Sequence, residues 1–191
     1  MIFNLPLNGD NQIFLMMRTP FLTVFLFLLF SSLAQAQQID AEKSKVIFEI
    51  GNFKINTVEG TFNGMHGKVK FNPDNMTNAV FDVCVDAATI DTDIKKRDEH
   101  LRGEDFFNAA KYPEICIKVQ SIQRQDDQYI ANGELTMTGE TGDITIIFTY
   151  EDQTLRGKFT VKRLDYGLGA GTSTLTASNE VDITIICKLI L

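Results

Sequence analysis

A side-chain alternation of period two recurs from Val46 to Leu189, and it restricts the folds open to this chain more than any other feature. Successive residues of a β-strand point to opposite faces, so each alternating run marks a strand with one apolar side. Val46, Phe48 and Ile50 share a side against Ile47, Glu49 and Gly51, and the same phase carries the polar Asn52 to the apolar side. A second strand reads from Gly60–Phe62 through Lys68–Phe71, with Asn63-Gly64 and Gly67 as a turn or bulge between its halves and Asn72–Asn75 as its closing turn. Phe81, Val83, Val85 and Ala87 form the next run, then Ile115, Ile117 and Val119, then Leu135 and Met137. Ile144, Ile146, Phe148 and Tyr150 follow, then Phe159, Val161 and Arg163, and last Val181, Ile183, Ile185, Cys187 and Leu189. This amounts to about eight strands, joined mostly by short polar turns such as Gln125–Gln128 and Gly139–Gly142.

One apolar side per strand implies one enclosed interior. The pattern predicts an all-β, antiparallel, about eight-stranded barrel, a closure that removes exposed edges and at this strand number can hold one small ligand. A two-sheet sandwich would need the same alternation; the bulky inward residues, the polar residues in the apolar phase and a single helical excursion favour the barrel.

That excursion occupies residues 91–113. A helix over Asp93–Leu101 would place Ile94, Arg97, Asp98 and Leu101 on one face, a face that a solvated helix would not need. Gly103 suits its C-terminus, Asp105–Lys111 could add a helical turn carrying Phe106 and Phe107, and Tyr112-Pro113 ends it. The stretch reads as a lid over something apolar.

The N-terminus reads as a secretory signal peptide over residues 1–36. Arg18 precedes an apolar run from Phe21 to Leu33, and Ala34-Gln35-Ala36 supplies an A-x-A cleavage site. The run is shorter than the ~20 apolar residues of a membrane-spanning helix, so no stable membrane insertion of the mature chain is expected. Met16-Met17-Arg18 would itself open a signal peptide, which makes residues 1–15 a candidate upstream extension. The mature chain, residues 37–191, has the length of one domain. The leader holds one acid, Asp10, and one base, Arg18, so the net charge stays at −7, which opposes binding to nucleic acid or to anionic lipid.

Three cysteines in an exported chain leave at least one unpaired or bonded to another molecule, which keeps a homodimer open. Cys84 and Cys116 both take the outer phase of strands that flank the helical excursion, so a cross-strand disulfide between them is an option. Cys187 takes the inward phase and reads as a small buried apolar residue.

Several strings together resemble the YceI-like family: RDEHL at 97–101, DFF at 105–107, KYPEI at 111–115, GELTMTGET at 133–141, RLDYGL at 163–168 and VDITI at 181–185. The resemblance covers essentially residues 39–190. It implies an exported, lipocalin-like barrel, periplasmic or secreted, whose elongated apolar cavity binds a polyisoprenoid or another long-chain amphiphile, without catalytic activity. Two departures stand out. Where the family commonly has an inward histidine, this chain has Asn52, which puts any histidine-dependent head-group contact in doubt; and Gly142-Asp143, read as a surface turn, replaces a common Lys-Pro.

On that resemblance the apolar face becomes a candidate binding surface for a hydrophobic small molecule. It comprises Phe48, Ile50, Phe62, Phe81, Val83, Ile115, Ile117, Leu135, Met137, Ile146, Phe148, Phe159 and Val161, with Leu101, Phe106 and Phe107 from the lid and Asn52 and Arg163 as polar members. The rival is an exported structural or interaction domain whose core is simply filled. Arg163 needs a partner, because an unpaired buried guanidinium is costly. An ion pair with Asp98 or Asp165, or a place at the rim, would supply one; the functional alternative is that Arg163 or Asn52 bonds the polar end of an amphiphile. Arg97 and Asp98 read as a structural latch, and His100, off the helix stripe, as a surface or capping residue. With two histidines and no fixed carboxylate spacing around them, neither a metal nor a cofactor is expected. No nucleophile–base motif or glycine-rich phosphate loop supports catalysis, and an enzyme would have to rely on Arg163, Asn52 or Tyr166.

Overall fold

In the computed structural model, which describes residues 37–53 and 55–190, the alternating runs become ten strands and one helix. The leader reading therefore lies outside the described residues. The strands are β1 (Gln38–Ile39), β2 (Lys45–Asn52), β3 (Asn56–Phe62), β4 (His66–Lys70), β5 (Val80–Asp86), β6 (Glu114–Gln125), β7 (Gln128–Met137), β8 (Glu140–Glu151), β9 (Thr154–Lys162) and β10 (Ala177–Ile190); the helix α1 spans Lys95–Leu101. All pairings are antiparallel, in the order β3-β2-β10-β9-β8-β7-β6-β5-β4, with β1 added to β10. The sheet curls into a half-barrel, so the all-β, lipocalin-like expectation holds with more strands than expected.

The excess has two sources. The short β1 carries little alternation to read, and the single strand expected over residues 60–71 is really two. β3 and β4, separated only by Asn63-Gly64-Met65, lie at opposite edges of the sheet. Gly64, at φ 70°, turns the chain across the opening that the curl leaves, a conformation glycine adopts without penalty. Backbone bridges Gln37–Val69 and Thr61–Asp91 tie the edge strands to their flanking segments.

Hairpin geometry fixes the register on the other side. Thr138 and Gly139, at φ 52° and 85°, make the two-residue β7–β8 connection, and Asp152 and Gln153, at φ 47° and 58°, the β8–β9 one. Left-handed residues at both central positions match the right-handed twist of the strands. Thr138 is held in that state by donating its hydroxyl hydrogen to the Tyr166 carbonyl. The β7–β8 turn thus precedes Gly142-Asp143, which lie inside β8, in register with Leu135 and Glu134, and are not a surface turn.

The helix is shorter than the pattern suggested because Asp93 sits at φ 62° and Ile94 is extended. Ile94 is therefore at the helix entrance and half-exposed, not on a buried stripe. Asn108, at φ 44°, likewise stops Asp105–Lys111 from continuing as helix, and that stretch is a series of turns. Among the described residues no helix is long and apolar enough to cross a membrane.

Candidate functional site

The inward faces of the strands do not meet. They enclose a cavity of about 490 Å³, within the roughly 300–1,000 Å³ typical of small-molecule pockets. Every residue of the candidate surface reaches its wall: Phe48, Ile50 and Asn52 from β2, Phe62 from β3, Phe81 and Val83 from β5, Ile115 and Ile117 from β6, Leu135 and Met137 from β7, Ile146 and Phe148 from β8, Phe159 and Val161 from β9, then Arg163, and Leu101, Phe106 and Phe107 from the lid. The same alternation brings in Val181, Ile183, Ile185 and Cys187 of β10. Gly157 of β9 also faces inward. A Cβ there would come within 2.8 Å of the Ile146 side chain, so the missing side chain keeps the wall thin at that point.

The turns β6–β7 and β8–β9 mark one end of the half-barrel. There Phe71 packs edge-on against Tyr129, Phe148 and Tyr150, with ring centroids 5.0, 5.5 and 5.2 Å apart. The lid and the Arg163–Thr176 loop occupy the other end. Leu101, Phe106, Phe107 and Leu168 face the void, and Phe107 meets Phe62 edge-on at 5.1 Å. His100 is exposed yet also borders the cavity, with its ring 5.0 Å from Phe106, so it is more than a surface residue.

Arg163 resolves differently from either sequence reading. Only 2% exposed, it makes no ion pair with Asp98 or Asp165. Its Nε donates to the Ser178 carbonyl at 2.9 Å, Nη1 to Leu168 and Gly169 at 2.8 Å each, and Nη2 to Thr172 and Ala177 at 2.9 and 3.0 Å. A guanidinium has five N–H donors, so all are committed to backbone. Burial lowers its pKa. Arg163 lines the cavity as a finished hub around which residues 164–178 are wound, and no donor remains for a ligand head group.

Asn52 is the complement. It closes β2 on the apolar side, and its Oδ1 is buried without a hydrogen-bond partner. A buried unmet acceptor costs about 1–3 kcal/mol, so a group that bonds it gains that much. Because amide oxygen and nitrogen are interchangeable by a flip, the site can offer an acceptor or a donor. Tyr166 is not part of the cavity lining: it is buried against the inward face of β8, where its hydroxyl would stand 2.8 Å from a Cβ placed on Gly142. Burial, then Asp165 and Asp143, raise its pKa.

Arg97 and Asp98 converge on Thr92, a residue that no sequence signal distinguished. Asp98 accepts from the Thr92 N–H at 2.9 Å and from its hydroxyl at 2.5 Å, while Arg97 donates to that hydroxyl and to the Thr92 carbonyl, both at 2.7 Å. Arg102 adds bonds to the carbonyls of Ala88 and Ile90 at 2.7 and 2.6 Å. The segment before α1 is thereby clasped to the helix, and the Asp91–Thr61 bridge fastens it to β3.

Cys84 and Cys116 are register partners on β5 and β6 and form a disulfide. Cys187 is free and 4% exposed, out of reach of a second chain, and burial pushes its thiol up to about 11.

Residues 37–189 match the YceI-like domain. The chain belongs to the YceI-like family. Among curated relatives, YceI of Escherichia coli O157:H7 is 31% identical and a UPF0312 protein of Photorhabdus laumondii 30% identical, each over 118 residues, 61% of this chain and 62% of the relative. The matches thus span less than two thirds of those relatives' length. Among solved structures, BcnA of Burkholderia cenocepacia superposes with a TM-score of 0.71 at 25% identity, over 78% of this chain and 98% of that one. A polyisoprenoid-binding domain from Saccharophagus degradans does so at 0.62 and 18% identity, over 80% and 96%, a likeness of fold. The YceI-like half-barrel of this chain differs from the sequence expectation in its seam at residues 63–65 and in its use of Arg163.

Proposed function

We propose that this YceI-like protein is an exported binding protein that holds a long-chain amphiphile in the cavity, a polyisoprenoid, isoprenoid quinone or fatty acid derivative, for transport, storage or a stress response. The observation that carries the reading is an apolar cavity of about 490 Å³ whose wall bears one unpartnered buried amide oxygen, on Asn52. Burial contributes about 0.8 kcal/mol per methylene, so ten methylenes give roughly 8 kcal/mol, a micromolar affinity before the costs of association. An alkyl or prenyl chain would fill the void while a hydroxyl or amide head meets Asn52. A filled core, the rival reading, has no need of such a void. The polyisoprenoid-binding description of the Saccharophagus degradans domain points the same way. The two polar groups singled out on the wall support binding, since Arg163 has no free donor and Asn52 carries an amide, which does not titrate. Export is supported by the leader pattern ahead of residue 37 and by the Cys84–Cys116 disulfide, since such bonds persist in oxidising compartments.

Organic extraction of the purified protein, followed by mass spectrometry, tests the reading. A prenyl or acyl lipid is expected in the extract, or is taken up on incubation; a protein that stays empty under both treatments sinks it. Asn52→Leu should erase the preference for a prenyl alcohol over the matching hydrocarbon while leaving hydrocarbon binding intact.

A further inference from the structure

A second cluster lies in the outward phase of β4, β5 and β6, with Cys84 also bordering the cavity from behind the wall. His66 on β4 is the register partner of Cys84 on β5, Cys84 is that of Cys116 on β6, and Glu114 precedes Cys116 by two residues, so the four share one face of three neighbouring strands. One ligand-type atom each from His66, Cys84 and Glu114 lies within 4.8 Å of the others. The Cα atoms of Cys84 and Cys116 are 4.1 Å apart, the close spacing of a non-hydrogen-bonded pair, so the ladder holds the two sulfurs together whether or not they are bonded.

The histidine is also prepared. Its Nδ1 lies 2.8 Å from the Gly64 carbonyl, which can only accept, so Nδ1 carries a proton and Nε2 is turned toward Glu114 Oε1 at 2.8 Å. A carbonyl behind one ring nitrogen is the arrangement that orients metal-binding histidines. Asp86 is on the same face, but its Oδ1 accepts from the Ala88 N–H at 2.8 Å and serves the turn that follows β5.

We infer that reduction of the Cys84–Cys116 disulfide turns this face into a site for a thiophilic divalent cation of the zinc type, held by Cys84, Cys116, His66 and Glu114. A dithiol reductant supplies two electrons and two protons and leaves as its own disulfide, and the protein sulfurs become thiols. The cation then displaces to solvent the two thiol protons and the proton that Nε2 shares with Glu114, and the freed Nε2 and one Glu114 oxygen complete four ligands. Two sulfurs with one imidazole select zinc or cobalt over magnesium or calcium, whose preference is for oxygen. His66 and Glu114 side chains are each 51% exposed and have room to close on the ion. The oxidised protein offers only the His66–Glu114 pair, so disulfide and metal exclude one another.

The test uses the folded mature chain, reduced with dithiothreitol, desalted without oxygen and titrated with Co²⁺. One equivalent should bind with thiolate-to-cobalt charge-transfer absorption and tetrahedral ligand-field bands, and Zn²⁺ should displace it. The oxidised protein should show neither band. Cys187→Ala should bind as the parent does. His66→Ala, a change to an exposed side chain, should weaken binding at least about tenfold, and Cys84→Ser/Cys116→Ser should abolish the charge-transfer band. Three results would overturn the proposal: no thiolate signature in the reduced protein, a signature unchanged by His66→Ala, or loss of the fold on reduction as seen by circular dichroism.

Discussion

Where β6 turns into β7 and β8 into β9, Phe71 stands among Tyr129, Phe148 and Tyr150, and that end of the cavity is closed by ring against ring. At the other end three arginines reach eight backbone carbonyls and a threonine hydroxyl, and the apolar residues of the lid hang from that scaffold. The aromatic end is set by contact area, which tolerates small displacements. The lid end is set by directional bonds, which hold irregular backbone in one arrangement but fail together when a hub is lost. In a binding protein the second kind of closure belongs where a ligand enters, because loops without ladders open at lower free energy than strands do.

Arg163→Ala should have the largest effect. Five carbonyls would lose a charged donor at once, and although such bonds do not add independently, a loss on the order of 5 kcal/mol is expected. Amide exchange should locate the damage in residues 164–178 while the β6–β9 core stays protected. Arg163→Lys should recover only part, since an ammonium has three donors in place of five. Equal loss of protection at both ends would break the comparison.

Phe71→Ala comes next, at about 3–4 kcal/mol by urea unfolding, the usual result of removing a packed aromatic side chain. Phe71 is 3% exposed and meets four aromatic rings. Exchange rates in the lid should not change, and the enlarged void should accept a longer chain. Breaking the disulfide with Cys84→Ser/Cys116→Ser removes a link across 32 positions and should cost about 3 kcal/mol.

These two ends were unequally legible. Period-two alternation assigned the cavity wall residue by residue, because a strand has only two faces and one of them was apolar. Arg163 was recognised as anomalous, but its partners are carbonyls of residues 168–178, and a carbonyl leaves no trace in residue type. Thr92 was invisible for the same reason: a threonine that bridges an arginine and an aspartate looks like any threonine in a loop. The seam at residues 63–65 could not be told from a bulge, since a Gly-containing break in alternation reads alike whether the chain doubles back or crosses to the far edge. The disulfide was legible as far as phase and adjacency reach, and the register decided it. His100 lies off the helix stripe of Arg97 and Leu101 yet borders the same cavity, because its ring packs on Phe106, a contact that the helical period does not encode.

Thr92→Val sharpens the contrast at the lid alone. It preserves shape, but it removes the hydroxyl that donates to Asp98 and accepts from Arg97, leaving a 6%-exposed carboxylate with one bond fewer. The expected cost is about 1–2 kcal/mol, accompanied by faster ligand release and no change in Phe71 packing, measured as lipid off-rate and near-ultraviolet dichroism.

The smallest effect is a pH dependence lodged toward the aromatic end, where Cys187 pairs with Leu155 across β9 and β10. Burial raises its thiol from 9.0 to about 11, with a minor opposing contribution from Ser44. A raised folded pKa means that the native state retains its proton where the unfolded chain has lost it. The stabilisation is therefore complete below pH 9, falls as pH rises from about 9 and is lost through about 11. At pH 9.5 the loss relative to pH 7 should be just under about 1 kcal/mol, and Cys187→Ala, whatever its own cost in packing, should not show that slope. Unfolding midpoints of the two proteins from pH 7 to pH 10 make the comparison. Parallel curves would mean that the thiol does not sense burial and that the aromatic end is looser than its packing indicates.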